Sequence, residues 1–193
     1  GELLARELQA LGFNLLLGPS LDVLDSSYTD SSVSLGTRTY GGDPYWVGEL
    51  GKAYISGLHS GSDGKMAVIA KHFPGRGSSD RLPEEEVATV RKSLEQLKLI
   101  ELAPFFSVAV SGTGNTSTIA DGFLVSHIRY QGFQGNIRET TKPVSFDSSA
   151  LSSIMGLEQF NTWRSAGGIL VSDSLGGSAI RKFFDPNNER FDA

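Results

Sequence analysis

The 193-residue sequence contains no cysteine. This absence excludes a disulfide framework, a thiolate nucleophile and a cysteine metal site, but it does not decide between oxidising and reducing compartments. The sequence also lacks any apolar run close to the roughly 20 residues that a membrane-spanning helix needs. It begins within a helical pattern and shows no signal sequence. We therefore expect a globular unit whose start is a cut within a longer protein.

Positive charge is also scarce, with 17 Lys and Arg against 22 Asp and Glu, a net charge of -5 and a pI near 5.2. This balance argues against nucleic acid as the main partner, because phosphate binding needs a basic face. The three histidines, His59, His72 and His127, fall in separate predicted elements without metal-ligand spacing. We predict no metal site and no cofactor.

What the sequence does contain is an alternation of strand and helix patterns in a single domain. Predicted strands cover residues 13–19, 66–70, 123–127 and 168–173. Predicted helices cover residues 1–11, residues 44–58, residues 83–110 with a break at Pro104, and residues 151–160. The strands are apolar with little period-2 alternation, which favours a parallel sheet covered by helices. The fold class is therefore α/β.

Polar residues follow each predicted strand where it ends: Asp22, Lys71 with His72, His127, and Asp173. Ligands of parallel α/β sheets collect at the carboxyl ends of strands, so these residues are candidates for a binding site. Two of them have structural alternatives. Asp173 could instead be the N-cap of a helix over residues 174–184, and His127 could be a hydrogen-bonded core histidine.

The stretch Lys71-His72-Phe73-Pro74-Gly75-Arg76-Gly77 is the most informative one. A cation and an imidazole beside a buried strand need partners or a ligand. The two glycines would let the backbone approach that ligand closely. The stretch therefore predicts an anionic or hydroxyl-rich ligand that faces at least one carboxylate.

This stretch resembles the Lys-His-Phe-Pro-Gly-His-Gly signature of family 3 glycoside hydrolases, especially their β-N-acetylhexosaminidase branch. Four other segments resemble the family in the same order. Residues 11–23 resemble its Ala-Pro-Val-Leu-Asp-Val strand, residues 37–44 its Asp-Arg-Ser-Phe-Gly segment, residues 91–105 its long helix, and residues 171–175 its Ser/Thr-Asp-Asp-Leu strand. The resemblance covers nearly the whole chain.

The resemblance implies a TIM-type (β/α)8 barrel, of which residues 1–193 would form a central portion of about four β/α units. Missing flanking segments or self-association would then complete the barrel. A carbohydrate is the implied ligand. Asp22, Arg38, Lys71 and His72 match positions that hold the hydroxyls of the nonreducing sugar, and His127 joins them by its place at a strand end. Asp173 matches the nucleophile of a retaining glycosidase.

One departure concerns the general acid/base, which in the hexosaminidase branch is a histidine in an Asp-Ser-His loop. The corresponding residues 77–83 form a shorter loop without histidine. Arg81 cannot replace it, since guanidinium keeps its proton near neutral pH. Asp80 is a weak candidate, because the adjacent arginine favours its ionised form. A non-catalytic sugar-binding domain and an interaction scaffold are therefore the alternatives to an active glycosidase.

Overall fold

The computed structural model describes residues 1–25, 36–110 and 116–187. Its strands are β1 (Leu15–Ser20), β2 (Ala67–Phe73), β3 (Thr89–Val90), β4 (Gly122–Val125), β5 (Arg129–Tyr130) and β6 (Ile169–Ser172). Strands β1, β2, β4 and β6 form a four-stranded sheet in that order, with every neighbouring pair parallel. Strands β3 and β5 form a separate parallel pair. The predicted α/β class with a parallel sheet is confirmed.

The helices connect these strands as β/α units. They are α1 (Glu2–Ala10), α2 (Pro44–Gly61), α3 (Leu94–Leu99), α4 (Ala103–Ala109), α5 (Gln131–Gln134), α6 (Ser148–Met155), α7 (Asn161–Ser165) and α8 (Ser178–Phe184). Asp43 caps α2, because its side chain accepts hydrogen bonds from the backbone of Tyr45 and Trp46 while Pro44 occupies the first turn. Within the described residues, no helix has both the length and the apolar character that crossing a membrane requires.

An aromatic cluster fixes the sheet against its helices. Phe73 of β2 stacks on Phe123 of β4 with ring centroids 5.0 Å apart, and Phe123 stacks on Trp163 of α7 at 4.2 Å. Phe105 of α4 meets both phenylalanines edge-on. The Trp163 indole donates a hydrogen bond to the carbonyl of Ala120. This packing holds the carboxyl ends of β2 and β4 in a fixed relation.

The other face of the sheet is partly uncovered. Leu15 and Leu17 of β1 are each 44% exposed, and Ile169 of β6 is 49% exposed. A Cβ on Gly122 would contact Ile69 and Ile169, so both isoleucines lie on the same face of the sheet. An open parallel sheet with one apolar face exposed is the geometry expected of part of a (β/α)8 barrel.

Several predicted elements differ in the structure. The predicted helix over residues 151–160 is wrong at its end, because α6 stops at Met155 and Glu158–Phe160 form a separate 3-10 turn. The predicted helix from residue 83 is wrong at its start, because residues 83–86 form a turn and α3 begins at Leu94 behind a capping box of Ser93 and Gln96. Before α3, Thr89 and Val90 form the buried strand β3, which pairs with β5. The predicted strand ending at residue 70 continues to Phe73, so Lys71 and His72 lie in β2 itself.

Candidate active site

The predicted site residues lie at one edge of the sheet. Ser20 pairs with Lys71, and Val125 pairs with Ser172, so the strands end together. Asp22 follows β1, His127 follows β4 and Asp173 follows β6. The Lys71–His72 and Phe73–Pro74 peptide bonds are both cis. The sheet therefore brings to one end the groups that the sequence pattern singled out.

Asp22 is the buried centre of this edge, with no exposed surface. Its Oδ2 accepts hydrogen bonds from His72 Nδ1 at 2.7 Å and from the Ser20 hydroxyl at 2.8 Å. Its Oδ1 accepts one from the backbone N–H of Arg76 at 2.9 Å. The Asp22 carboxylate thus ties β1 to β2 and to the loop after β2.

These partners also decide the charge of Asp22. Burial alone would raise the pKa of Asp22, but His72 and Arg76 outweigh it and lower the pKa to about 2. Since a carboxylate only accepts hydrogen bonds, His72 carries a proton on Nδ1 and turns Nε2 away from Asp22. Direct contact of Asp22 with a sugar stays a prediction, and its burial favours a role in orienting His72.

A cavity of about 370 Å³ opens beside this cluster. It is lined by Ser20, Arg38, Lys71, His72, Arg76 and Glu84. Among the residues that the structure describes, none contacts the Lys71 ammonium or His72 Nε2 within hydrogen-bonding distance. Lys71 and His72 thus line the cavity, and each has a side-chain group with unused hydrogen-bonding capacity, which recognition of sugar hydroxyls requires.

Glu84 is a cavity residue that sequence reasoning missed. Its Oε1 lies 2.9 Å from Arg76 Nη1 and 3.6 Å from Arg38 Nη1. Partial burial raises the pKa of Glu84, but Arg76, a backbone hydrogen bond and Arg38 together outweigh it and lower the pKa overall. The β-branched run that follows Glu84 could have indicated a strand, and hence a loop at residue 84 in place of a helix.

Asp80, the acid/base candidate from the sequence, lies outside the residues that line this cavity. Its Oδ1 accepts a hydrogen bond from the backbone of Thr89 at 2.8 Å, and Arg81 and Arg91 flank the carboxylate. Its backbone N–H donates to the Thr89 carbonyl. These contacts close the base of a loop, so the geometry favours a structural role and the acid/base assignment stays a prediction.

Asp173 follows β6 and is partly exposed. Its Oδ1 accepts a hydrogen bond from the backbone of Ser174 at 2.8 Å. The alternative that Asp173 caps the next helix is wrong, because α8 begins at Ser178 behind Gly177. The Asp173 carboxylate therefore has no capping role at α8, and its assignment as nucleophile stays a prediction.

His127 is buried beside the same segment. Its Nε2 lies 3.1 Å from the Ser174 carbonyl, to which it donates, and its Nδ1 lies 2.7 Å from the Ser145 hydroxyl. Because both ring nitrogens are engaged, the geometry favours a role for His127 in positioning the chain beside Asp173. Its assignment as a substrate contact stays a prediction.

The glycines after β2 allow the loop to lie against its neighbours. A Cβ on Gly77 would fall 1.6 Å from the Val23 carbonyl oxygen, a distance that no side chain tolerates. Gly75 has φ of 112° and packs against Glu101. Glu101 in turn accepts hydrogen bonds from Ser78 at 2.6 Å and from Lys92 at 2.7 Å. The loop that carries Arg76 is therefore clamped on two sides.

We predict that Gly77→Ala destabilises the protein by about 3 kcal/mol, the upper part of the usual range for overpacking. The methyl group must displace either the loop or the backbone at Val23. Thermal unfolding measures the effect, with Gly176→Ala as the control because a Cβ there meets no atom within 4 Å. Equal melting temperatures for the two variants would show that the loop moves aside without cost.

The chain belongs to the family described as glycosyl hydrolase family 3 N terminal domain, whose model matches residues 1–191. A β-hexosaminidase of Pseudomonas aeruginosa is 36% identical over 176 residues, which cover 91% of this chain and 45% of the relative. A β-hexosaminidase of Hydrogenovibrio crunogenus is 29% identical over 185 residues, covering 96% of this chain and 45% of the relative. The chain thus spans about half the length of these relatives.

Solved structures are also similar to this chain over part of their length. A family 3 β-N-acetylglucosaminidase from Paenibacillus superposes with a TM-score of 0.70 at 28% identity, covering 95% of this chain and 31% of that protein. A β-glucoside phosphorylase, BglX, has a TM-score of 0.76 at 19% identity and covers 94% of this chain and 30% of that protein. The second likeness supports the fold alone.

Proposed function

We propose that this domain binds the nonreducing sugar of β-linked N-acetylhexosaminides and takes part in their hydrolysis with retention of configuration. The observation that carries the proposal is the cavity at the strand ends, which Lys71 and His72 line with unused hydrogen-bonding capacity in a member of this hydrolase family. The names of the relatives, β-hexosaminidases, support the N-acetylhexosaminide as substrate.

In this proposal, three cavity residues, Lys71, Arg38 and His72, bind the hydroxyl groups of the sugar. Lys71 and Arg38 donate hydrogen bonds from charged groups, which are stronger than neutral ones. His72 presents Nε2 in an orientation that its bond to Asp22 fixes. Neutral hydroxyls supply the acceptors, so the site needs no anionic group on the ligand.

Asp173 supplies the nucleophile in this proposal. One carboxylate oxygen attacks the anomeric carbon, the glycosidic C–O bond breaks, and a covalent glycosyl-enzyme forms. Water then attacks the same carbon and releases Asp173. Each step inverts the carbon, so two steps retain its configuration.

We further propose that residues 1–193 are part of one family 3 barrel domain. Further strands, from flanking chain or from a second copy, would cover the sheet face that exposes Leu15, Leu17 and Ile169. Experiments on activity therefore belong in the full-length protein.

Titration of the full-length protein with N-acetylglucosamine tests binding, and hydrolysis of 4-nitrophenyl β-N-acetylglucosaminide tests catalysis. We expect binding, and turnover that releases the β-anomer first, as nuclear magnetic resonance can follow. Binding without any turnover would favour a non-catalytic sugar-binding domain. Absence of both would leave an interaction scaffold and contradict the proposal.

We predict that Lys71→Ala weakens N-acetylglucosamine binding by about tenfold or more, because a charge-assisted hydrogen bond is worth about 1.5 to 3 kcal/mol. Isothermal titration calorimetry measures the change. Lys65→Ala is the matched control, since Lys65 lines a separate cavity that shares no residue with the one at Lys71. Unchanged affinity in a folded Lys71→Ala protein would remove Lys71 from the site.

A further inference from the structure

Glu84, in the loop that follows β2, lines the cavity that also contains Lys71 and His72. It is the single acidic side chain among the six described residues that line the cavity, because Asp22 is covered by its partners. A retaining glycosidase needs a second group besides its nucleophile to move a proton to and from the leaving oxygen. Asp80 does not line this cavity, so Glu84 is the carboxyl group that the cavity offers for this role.

The loop is built to hold Glu84 in place. Ser79 and Val90 form an antiparallel bridge, and Asp80 and Thr89 exchange two hydrogen bonds across the base of the loop. At the tip of the loop, the backbone N–H groups of Glu85 and Glu86 both donate hydrogen bonds to the Leu82 carbonyl. The turn therefore fixes the backbone from which the Glu84 side chain extends.

Two arginines from different segments hold the carboxylate itself. Arg38 comes from the turn after β1, and Arg76 comes from the loop after β2. Arg76 is also bonded through its backbone to Asp22, which orients His72. Glu84 thus belongs to one hydrogen-bonded network with the sugar-binding histidine, while half of its side chain stays exposed.

We propose that Glu84 is the proton-transfer residue of this site, an inference that rests on the glycosidase function proposed above. In the first step its carboxyl group gives a proton to the leaving oxygen as Asp173 attacks the anomeric carbon and the glycosidic C–O bond breaks. In the second step the Glu84 carboxylate takes a proton from water, whose oxygen attacks the anomeric carbon while the bond to Asp173 breaks. The proton balance closes over the two steps.

The charged neighbours give this assignment a pH signature. Arg38, Arg76, Lys71 and His72 line the cavity with Glu84, and Asp22 accepts hydrogen bonds from His72 and Arg76. These cations favour the ionised form of Glu84, so its acid form is scarce at neutral pH. The acid form becomes more abundant as the pH falls. Hydrolysis of a natural disaccharide, which needs the acid, should accelerate as the pH falls towards the acidic range. Hydrolysis of a dinitrophenyl glycoside, whose leaving group departs without a proton, should not accelerate in this way as the pH falls.

The test compares Glu84→Ala with Glu85→Ala in the full-length protein, because Glu85 is the neighbouring exposed carboxylate and does not line the cavity. With 2,4-dinitrophenyl β-N-acetylglucosaminide, Glu84→Ala should form the glycosyl-enzyme and then stall. Turnover should fall by about 10² to 10⁴-fold, the usual contribution of acid–base catalysis. Added azide should restore turnover and yield the β-glycosyl azide, because azide attacks without needing a base. Glu85→Ala should retain wild-type turnover.

Each outcome decides a separate point. Glu84→Ala with wild-type turnover, or with a loss that azide does not rescue while sugar binding is intact, would overturn the role of Glu84. Glu84→Gln keeps the size of the side chain, so loss of the acidic limb in its disaccharide profile supports the assignment even if the alanine variant folds poorly. A wild-type protein that cleaves neither substrate contradicts the proposed function itself, and the role of Glu84 falls with it.

Discussion

Replacing Asp173 with asparagine should lower turnover of both aryl and natural N-acetylglucosaminides by at least about 10⁴-fold, the scale seen when a covalent enzyme loses its nucleophile. Asparagine keeps the shape and can still accept the hydrogen bond from the Ser174 backbone. An amide oxygen is a far weaker nucleophile than a carboxylate, so the glycosyl-enzyme cannot form. Affinity for N-acetylglucosamine should change little.

Initial-rate kinetics and calorimetry on the full-length protein measure both quantities. Asp63→Asn is the control, because Asp63 lies in a turn with φ of 51°, where asparagine is well tolerated. Mass spectrometry after a burst of dinitrophenyl substrate should locate the sugar on Asp173 in the Glu84→Ala protein. Substantial activity of Asp173→Asn, or a label on another residue, would transfer the role of nucleophile elsewhere.

The sequence predicts the frame of this site well because the frame depends on local patterns. Each strand of the main sheet is a short apolar run, and polar residues follow it where the run ends. Parallel pairing then brings Lys71, His72 and Asp173 to one edge without further information. Their distances from a bound sugar depend on the whole barrel, which is why their roles remain proposals.

The sequence misleads at Glu84 for an equally physical reason. Proline followed by three glutamates is typical of a helix N-terminus, where the helix dipole favours acidic residues. The downstream Thr89 and Val90 instead pair with β5, and this tertiary contact overrides the local preference. The partners of Glu84, Arg38 and Arg76, come from separate loops, so no local pattern could have indicated its place in the cavity.

The burial of Asp22 is a second feature that depends on distant residues. Its donors His72 and Arg76 lie 50 and 54 residues away in the sequence. The family resemblance predicts a contact of Asp22 with the sugar; in the structure Asp22 has no exposed surface, and its partner His72 lines the cavity. A fully buried carboxylate thus holds two residues that line the cavity, His72 and Arg76.

Asp22→Asn should destabilise the protein by about 3 kcal/mol at neutral pH, since breaking a buried charge pair is costly. An amide offers one acceptor oxygen to three donors, so His72 or the Arg76 backbone loses its partner. Urea unfolding measures the loss. Sugar affinity should fall as well, because Nδ1 of His72 is no longer held by a carboxylate and Nε2 is no longer fixed towards the cavity.

The pH dependence of the stability lost in Asp22→Asn shows how much of that loss is due to the charge of Asp22. The folded pKa of Asp22, about 2, is below its unfolded value of 3.8, so the stabilisation is complete above the unfolded pKa and fades as the pH falls through the folded one. About 2 kcal/mol of the difference between wild type and Asp22→Asn should therefore disappear between about pH 4 and about pH 2. Asp63→Asn should track wild type throughout. A difference that stays constant over this range would mean that Asp22 stabilises the loop through packing and hydrogen-bond geometry, and that its charge contributes little.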